Sequence, residues 1–179
     1  HYEEIKVATI GRRARDYFKK RHLATQRDFP GVFDNLSYRR ASEIADGLAQ
    51  EFVSEDLDAV YLLYNEFKSA MSQRVVVEDL LPIRHEELPA GQDIDYIYEP
   101  DAAAVLDRLA PRYVATIIWR ALLESSASEH GARMTAMGSA TRNAADLVDK
   151  LTLKYNRARQ ATITGELMDI VGGAEALKG

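Results

Sequence analysis

Short β-rich runs alternate with stretches whose apolar residues fall at threes and fours in the first half of this chain, and the second half keeps the helical spacing throughout. The run EEIKVATIG (residues 3–11) predicts a strand closed by Gly11, and RRARDYFKKR behind it predicts a helix through Ala14, Tyr17 and Phe18. Residues 22–36 carry Pro30, Gly31 and Asn35 and read as a loop. A second helix is predicted over 37–53, with Ala41, Ile44, Ala45, Leu48 and Phe52 on one face. Residues 57–67 predict a strand apolar enough to be buried on both faces, and 72–83 a third extended stretch. An acidic, turn-rich break at 84–93 precedes the short strand-like IDYIYEP. Asp101 is placed to cap AAAVLDRLA, and Pro111 interrupts before the last segment. The pattern therefore predicts an α/β domain over residues 1–100 and a helical segment over 101–179.

Residues 112–171 contain no proline, and Val114, Ile117, Ile118, Leu122, Met134, Met137, Leu147, Val148, Leu151 and Tyr155 keep the spacing. One helix over about 112–173 follows, on the order of 90 Å long at the α-helical rise. A compact chain of this size is only about 40 Å across, so such a helix is expected to protrude. Each large apolar side chain left in water would forgo roughly 1.5–3 kcal/mol. The stripe therefore calls for a partner, most simply another long helix, and a chain without that partner is expected to self-associate through it. Gly131 and Gly138 each weaken a helix interior by about 1 kcal/mol, which reads either as tolerated substitution or as close packing. At the far end, YNRARQATITGELMDIV places Ile163, Leu167, Ile170 and Val171 at helical spacing beside Arg157, Arg159, Gln160 and Thr164. Those polar residues read either as an exposed terminal face, where cations suit the helix dipole, or as a partner contact.

Composition narrows the function. The chain is 46% hydrophobic and 28% charged, an ordinary globular balance, and its net charge of −5 argues against a nucleic-acid partner. With no cysteine, disulfides, thiolate metal sites and thiol nucleophiles are excluded. No apolar run approaches the ~20 residues that span a bilayer. The chain opens on His1 and enters a strand-like run almost at once, which reads as a fragmentary chain. The VATIGRRARDYF turn has the outline of a phosphate cradle but only one glycine, so a plain strand-to-helix turn and an anion site both stay open. His1, His22, His85 and His130 have no metal-ligand spacing, the carboxylates of EDL (78–80) and EEL (86–88) read as solvated faces, and no G-x-S-x-G elbow occurs. Neither a catalytic residue, a metal site nor a bound cofactor is predicted.

The run LLESSASEHGARMTAMGSATRNAADLVDKLTLKYNRARQATITGELMDIVGGAEAL resembles the C-terminal helix of the gamma subunit of the F-type ATP synthase. VATIGRRARDYFKKR, YLLYNEFKSAMSQ and YIYEPDAAAVLDRLAPRYV resemble the central domain of the same family in the same order, so the resemblance covers essentially the whole chain. It implies a partial Rossmann-like α/β domain followed by one very long helix, half of an antiparallel coiled coil, in a non-catalytic rotor shaft that binds no nucleotide. The implied partners are the alpha and beta subunits around the shaft, with the epsilon subunit and the c-ring at the foot. Residues 64–73 would lie toward that foot. The implied place is peripheral, on the cytoplasmic face of a bacterial inner membrane or the matrix face of the mitochondrial one. Arg159, Gln160 and Thr164 would contact the catalytic ring at the tip, Arg133 and Glu129 would do so lower down, and Ile163, Leu167, Ile170 and Val171 would form the apolar shaft. The family's N-terminal helix and first strand have no counterpart here, and Gly165 and Gly138 are local weaknesses in the helix. Apart from the resemblance, the residues also allow a small α/β nucleotide- or anion-binding domain with a helical oligomerisation arm, or a dimeric coiled-coil scaffold.

Overall fold

A computed structural model describes residues 4–54, 57–84 and 98–177. The order is β1 (Ala8–Ile10), α1 (Arg12–Lys20), β2 (Arg27–Phe29), a 3-10 turn (Val32–Asp34), α2 (Tyr38–Ser54), β3 (Val60–Ser69), β4 (Ser72–Leu81) and α3 (Ala102–Ala176). The chain forms two compact units, residues 1–132 and 133–179.

In the first unit, β1 and β2 pair in parallel with Thr9 opposite Asp28, joined through α1. Thr9 is buried, and its hydroxyl donates to Asp28 Oδ1 at 2.5 Å, which satisfies it across the strand pair. The turn from β1 into α1 depends on Gly11, whose φ of 97° and ψ of 154° lie in a region open essentially to glycine alone. A Cβ there would also stand 3.1 Å from the Phe33 ring. The predicted loop over 22–36 instead contains β2 and the 3-10 turn. A three-residue strand is too short to express an alternating pattern, although Pro30 and Gly31 mark its end as expected.

Strands β3 and β4 form an antiparallel hairpin with Leu63 opposite Val77 and Asn65 opposite Val75. The expectation that 57–67 is buried on both faces does not hold. Burial alternates along β3, and Leu63, Val75 and Val77 are exposed on the face they share while Leu62, Tyr64 and Val76 turn inward. Arg84 is described, but 85–93 and most of IDYIYEP lie outside the described residues.

The core gathers Val32, Ala41, Ile44 and Ala45, Leu80 and Leu81 from β4, and Val114, Ala115, Ile117, Ile118 and Leu122 from α3. The first part of α3 is thus a core helix of the first unit. It begins at Ala102, not near residue 112, because Asp101 caps it: the Asp101 carboxylate accepts from the Ala104 amide at 2.9 Å. Pro111 stands inside the helix on an exposed position. A proline there removes one main-chain hydrogen bond, while the inward face continues on either side through Ala104, Val105 and Ala110 to Val114.

In the second unit α3 runs on to Ala176 through both Gly138 and Gly165, and no residue from Arg133 to Leu177 is buried. Met134, Met137, Leu147, Val148, Leu151 and Tyr155 are all more than half exposed. Among the described residues, no helix is long and apolar enough to cross a membrane.

Candidate functional site: an exposed helix face and its anchorage

Seven of the residues singled out in sequence lie near the end of α3. At 100° per residue, Arg159, Gln160, Ile163, Thr164, Leu167, Ile170 and Val171 fall within an arc of roughly 140°. The apolar and polar members interleave on that arc. Ile163, Leu167, Ile170 and Val171 are 53–69% exposed, and Arg159, Gln160 and Thr164 are exposed as well. Among the described residues, no side chain of the polar three is ion-paired or hydrogen-bonded within the chain. Such a face offers a partner apolar area together with a five-donor guanidinium, an amide and a hydroxyl. It contains no acid–base pair and no metal ligand set.

Glu129 and Arg133 are also exposed on α3. Glu129 lies 3.9 Å from the Arg13 guanidinium of α1, a loose exposed pair of little energetic weight. Glu129 belongs to the first unit, and Arg133 opens the second, several helical turns before Arg159 on the same helix.

The hairpin meets α3 through a polar cluster that no sequence motif announced. Arg120 donates to both Glu78 oxygens, at 2.5 and 2.6 Å, while the Tyr64 hydroxyl donates to Glu78 Oε2 at 2.9 Å. Glu124 Oε1 stands 3.8 Å from Arg120 Nε. The hydrogen bond from Arg120 to Glu78 holds the guanidinium even more firmly protonated than usual. Burial, followed by the bond to Glu78, raises the Tyr64 pKa above its ordinary value of 10.0. Because the folded value lies above the unfolded one, the stability Tyr64 contributes is complete below about pH 10 and is lost as pH rises through the folded value. The stability advantage of the native chain over Tyr64→Phe should therefore shrink above pH 10 in denaturant titrations. An advantage independent of pH would contradict this environment.

At the strand-to-helix turn, groups that a phosphate cradle would use are engaged within the chain. The Gly11 amide donates to Phe29 O at 3.0 Å, the Phe33 ring covers the glycine, and Arg12 is held by Asp34 at 2.6 Å. His22 and His130 are exposed, and no group of metal-ligating side chains occurs among the described residues. His1, His85 and the carboxylates at 86–88 lie outside them, whereas Glu78 of the EDL run belongs to the Arg120 cluster.

A family model described as ATP synthase matches residues 1–177. The ATP synthase gamma chain of Anaeromyxobacter sp. (strain Fw109-5) is 56% identical over 99% of this chain and 61% of its own length, and that of Geobacter metallireducens is 48% identical over 99% and 62%. The chain thus spans about three fifths of the curated relatives it matches. Among solved structures, the central stalk and c-ring of the Tetrahymena thermophila mitochondrial ATP synthase aligns with a TM-score of 0.57 at 26% identity, over 74% of this chain and 58% of that one. The OSCP/F1/c-ring assembly of the Euglena gracilis mitochondrial enzyme shares the fold, with a TM-score of 0.66 at 17% identity over 98% of this chain and 63% of the other. With its mixed α/β unit and long C-terminal helix, the chain belongs to the ATP synthase family, beside the gamma chains of its curated relatives.

Proposed function

We propose that this chain is the domain and C-terminal shaft of a non-catalytic rotor subunit, turning inside a ring of alpha and beta subunits and coupling proton translocation to ATP synthesis and hydrolysis. The observation that carries this reading is the second unit of α3, whose large apolar side chains are all exposed in a family whose solved relatives include a central stalk. Water is a poor solvent for that stripe, and each side chain covered by a partner gains roughly 1.5–3 kcal/mol. Ile163, Leu167, Ile170 and Val171 meet the second shaft helix or the apolar sleeve of the ring. Arg159, Gln160 and Thr164, on the same arc, meet loops of one catalytic subunit at a time, while Glu129 and Arg133 make a lower polar contact. An asymmetric shaft presents a different face to each catalytic site and biases it between conformations by the difference in contact energy. The hairpin end, residues 64–73, faces the epsilon subunit and the c-ring, and the chain is peripheral to the membrane, on the bacterial cytoplasmic or mitochondrial matrix side. No cofactor is required of it.

In a full-length gamma chain carrying this segment, Arg159→Ala and Gln160→Ala should each lower coupled ATPase activity or assembly. The scale is about two- to tenfold for Gln160→Ala, the worth of a neutral hydrogen bond, and roughly tenfold or more for Arg159→Ala if its bond is charge-assisted. Unchanged rate and coupling in both variants would remove these residues from the contact.

A further inference from the structure

Besides the Arg120 bonds to Glu78, a second directional group fastens α3 to the hairpin within the first unit. Ser125 and Ser128 lie one helical turn apart and grip the same residue of β3: the Asn65 amide donates to Ser125 Oγ at 3.3 Å, and Ser128 Oγ donates to the Asn65 carbonyl at 3.2 Å. In an antiparallel pair the main-chain groups of alternate residues face away from the partner strand. At Asn65 the two serines therefore do what a neighbouring strand would do, supplying one acceptor and one donor. Ser128 is 3% exposed, one of two buried polar residues among those described, so its bond is formed away from water. On the same face of α3, Arg120 grips Glu78 of β4 one and a half turns earlier, and Gly131 lets the helix backbone close on the hairpin turn at Ala70.

We propose that Ser125 and Ser128 are positioning residues that lock the rotational phase of α3 against the hairpin, so that torque passes between shaft and domain at Asn65. The proposal rests on the rotor reading above. The interdigitated core side chains of α3 oppose gross rotation and sliding, but the hydrophobic effect that holds them is itself non-directional and does not fix small shifts of either kind. A matched donor and acceptor on one residue fix both, because a helix turned by one residue carries each hydroxyl about 100° away from its partner. Ser125 alone would act as a hinge. The second bond, one turn along, turns that hinge into a clamp.

Two readouts test it. In the isolated chain, Ser125→Ala/Ser128→Ala should exchange the Asn65 amide at least about tenfold faster while Ala45 in the core keeps its protection; Ser125→Ala alone serves if the double variant does not fold. Unchanged exchange at Asn65 would overturn the clamp. In a membrane-bound ATP synthase whose gamma chain carries this segment, the same variant should keep its ATP hydrolysis rate and lose at least about half of the protons pumped per ATP. A merely structural role would lower both together, and either that result or an unchanged ratio would overturn the proposal. If the unsubstituted segment itself neither assembles nor pumps, the rotor reading fails, and the clamp's role in torque fails with it, whatever the exchange data show.

Discussion

Replacing Ile118 with alanine should lower the unfolding free energy of the chain by about 2–5 kcal/mol, the range for removing a large aliphatic side chain from a close-packed core. Ile118 has no exposed surface and belongs to the cluster that joins α2, β4 and α3 through Ala41, Ile44, Ala45 and Leu80. Where the loss falls in that range depends on how far the surrounding cluster can collapse into the space. Ile163→Ala is the matched control: its side chain is 55% exposed, and the isolated chain should scarcely register its removal. Urea titrations of both variants decide the matter. A loss below about 1 kcal/mol at Ile118 would mean that the first part of α3 is not a core element.

Gly131→Leu should be destabilising by about 1–3 kcal/mol, the usual scale of overpacking, even though leaving glycine in a helix interior is worth nearly 1 kcal/mol in the opposite direction. A Cβ at Gly131 would stand 3.1 Å from the Ala70 Cα and 3.1 Å from the Phe67 ring, and the first of these is main chain that cannot rotate away. Gly165 supplies the contrast. A Cβ there meets nothing within 4 Å, so Gly165→Ala should raise helix stability by up to about 1 kcal/mol. Sequence left tolerated substitution and close packing open for Gly131 and Gly138. Gly131 is required by close approach to the hairpin, whereas a Cβ at Gly138 would meet only the Arg142 side chain at an ordinary 3.7 Å. If Gly131→Leu matched the native unfolding midpoint, the close approach of α3 to the hairpin turn would be wrong.

The long helix was readable because sixty residues without proline hold one spacing, and the Asp101 cap was readable because a cap is a local signal. Its true start was not. Pro111 argues for a break at short range, and only packing on both sides shows that the inward face carries through. The apolar composition of β3 suggested two buried faces, but one face of the hairpin, with Leu63, Val75 and Val77, is exposed. Composition alone does not distinguish these cases when alternating positions are all apolar. The distal face could be placed from spacing, since one helix fixes the relative directions of Arg159, Gln160 and Ile163. The anchorage could not. Glu78 and Arg120 lie 42 residues apart and Asn65 and Ser128 lie 63 apart, and each pair meets only once the hairpin and helix have folded together.

The proposed rotor role puts the exposed face of α3 inside a catalytic ring. The most direct measurement assembles a full-length gamma chain carrying this segment with alpha and beta subunits, then follows ATPase activity and size-exclusion elution together. One co-eluting, active complex is expected, with an ATPase that falls when Arg159 or Gln160 is replaced by alanine. A folded chain that elutes apart from the alpha and beta subunits, or a complex without activity, would contradict the rotor role.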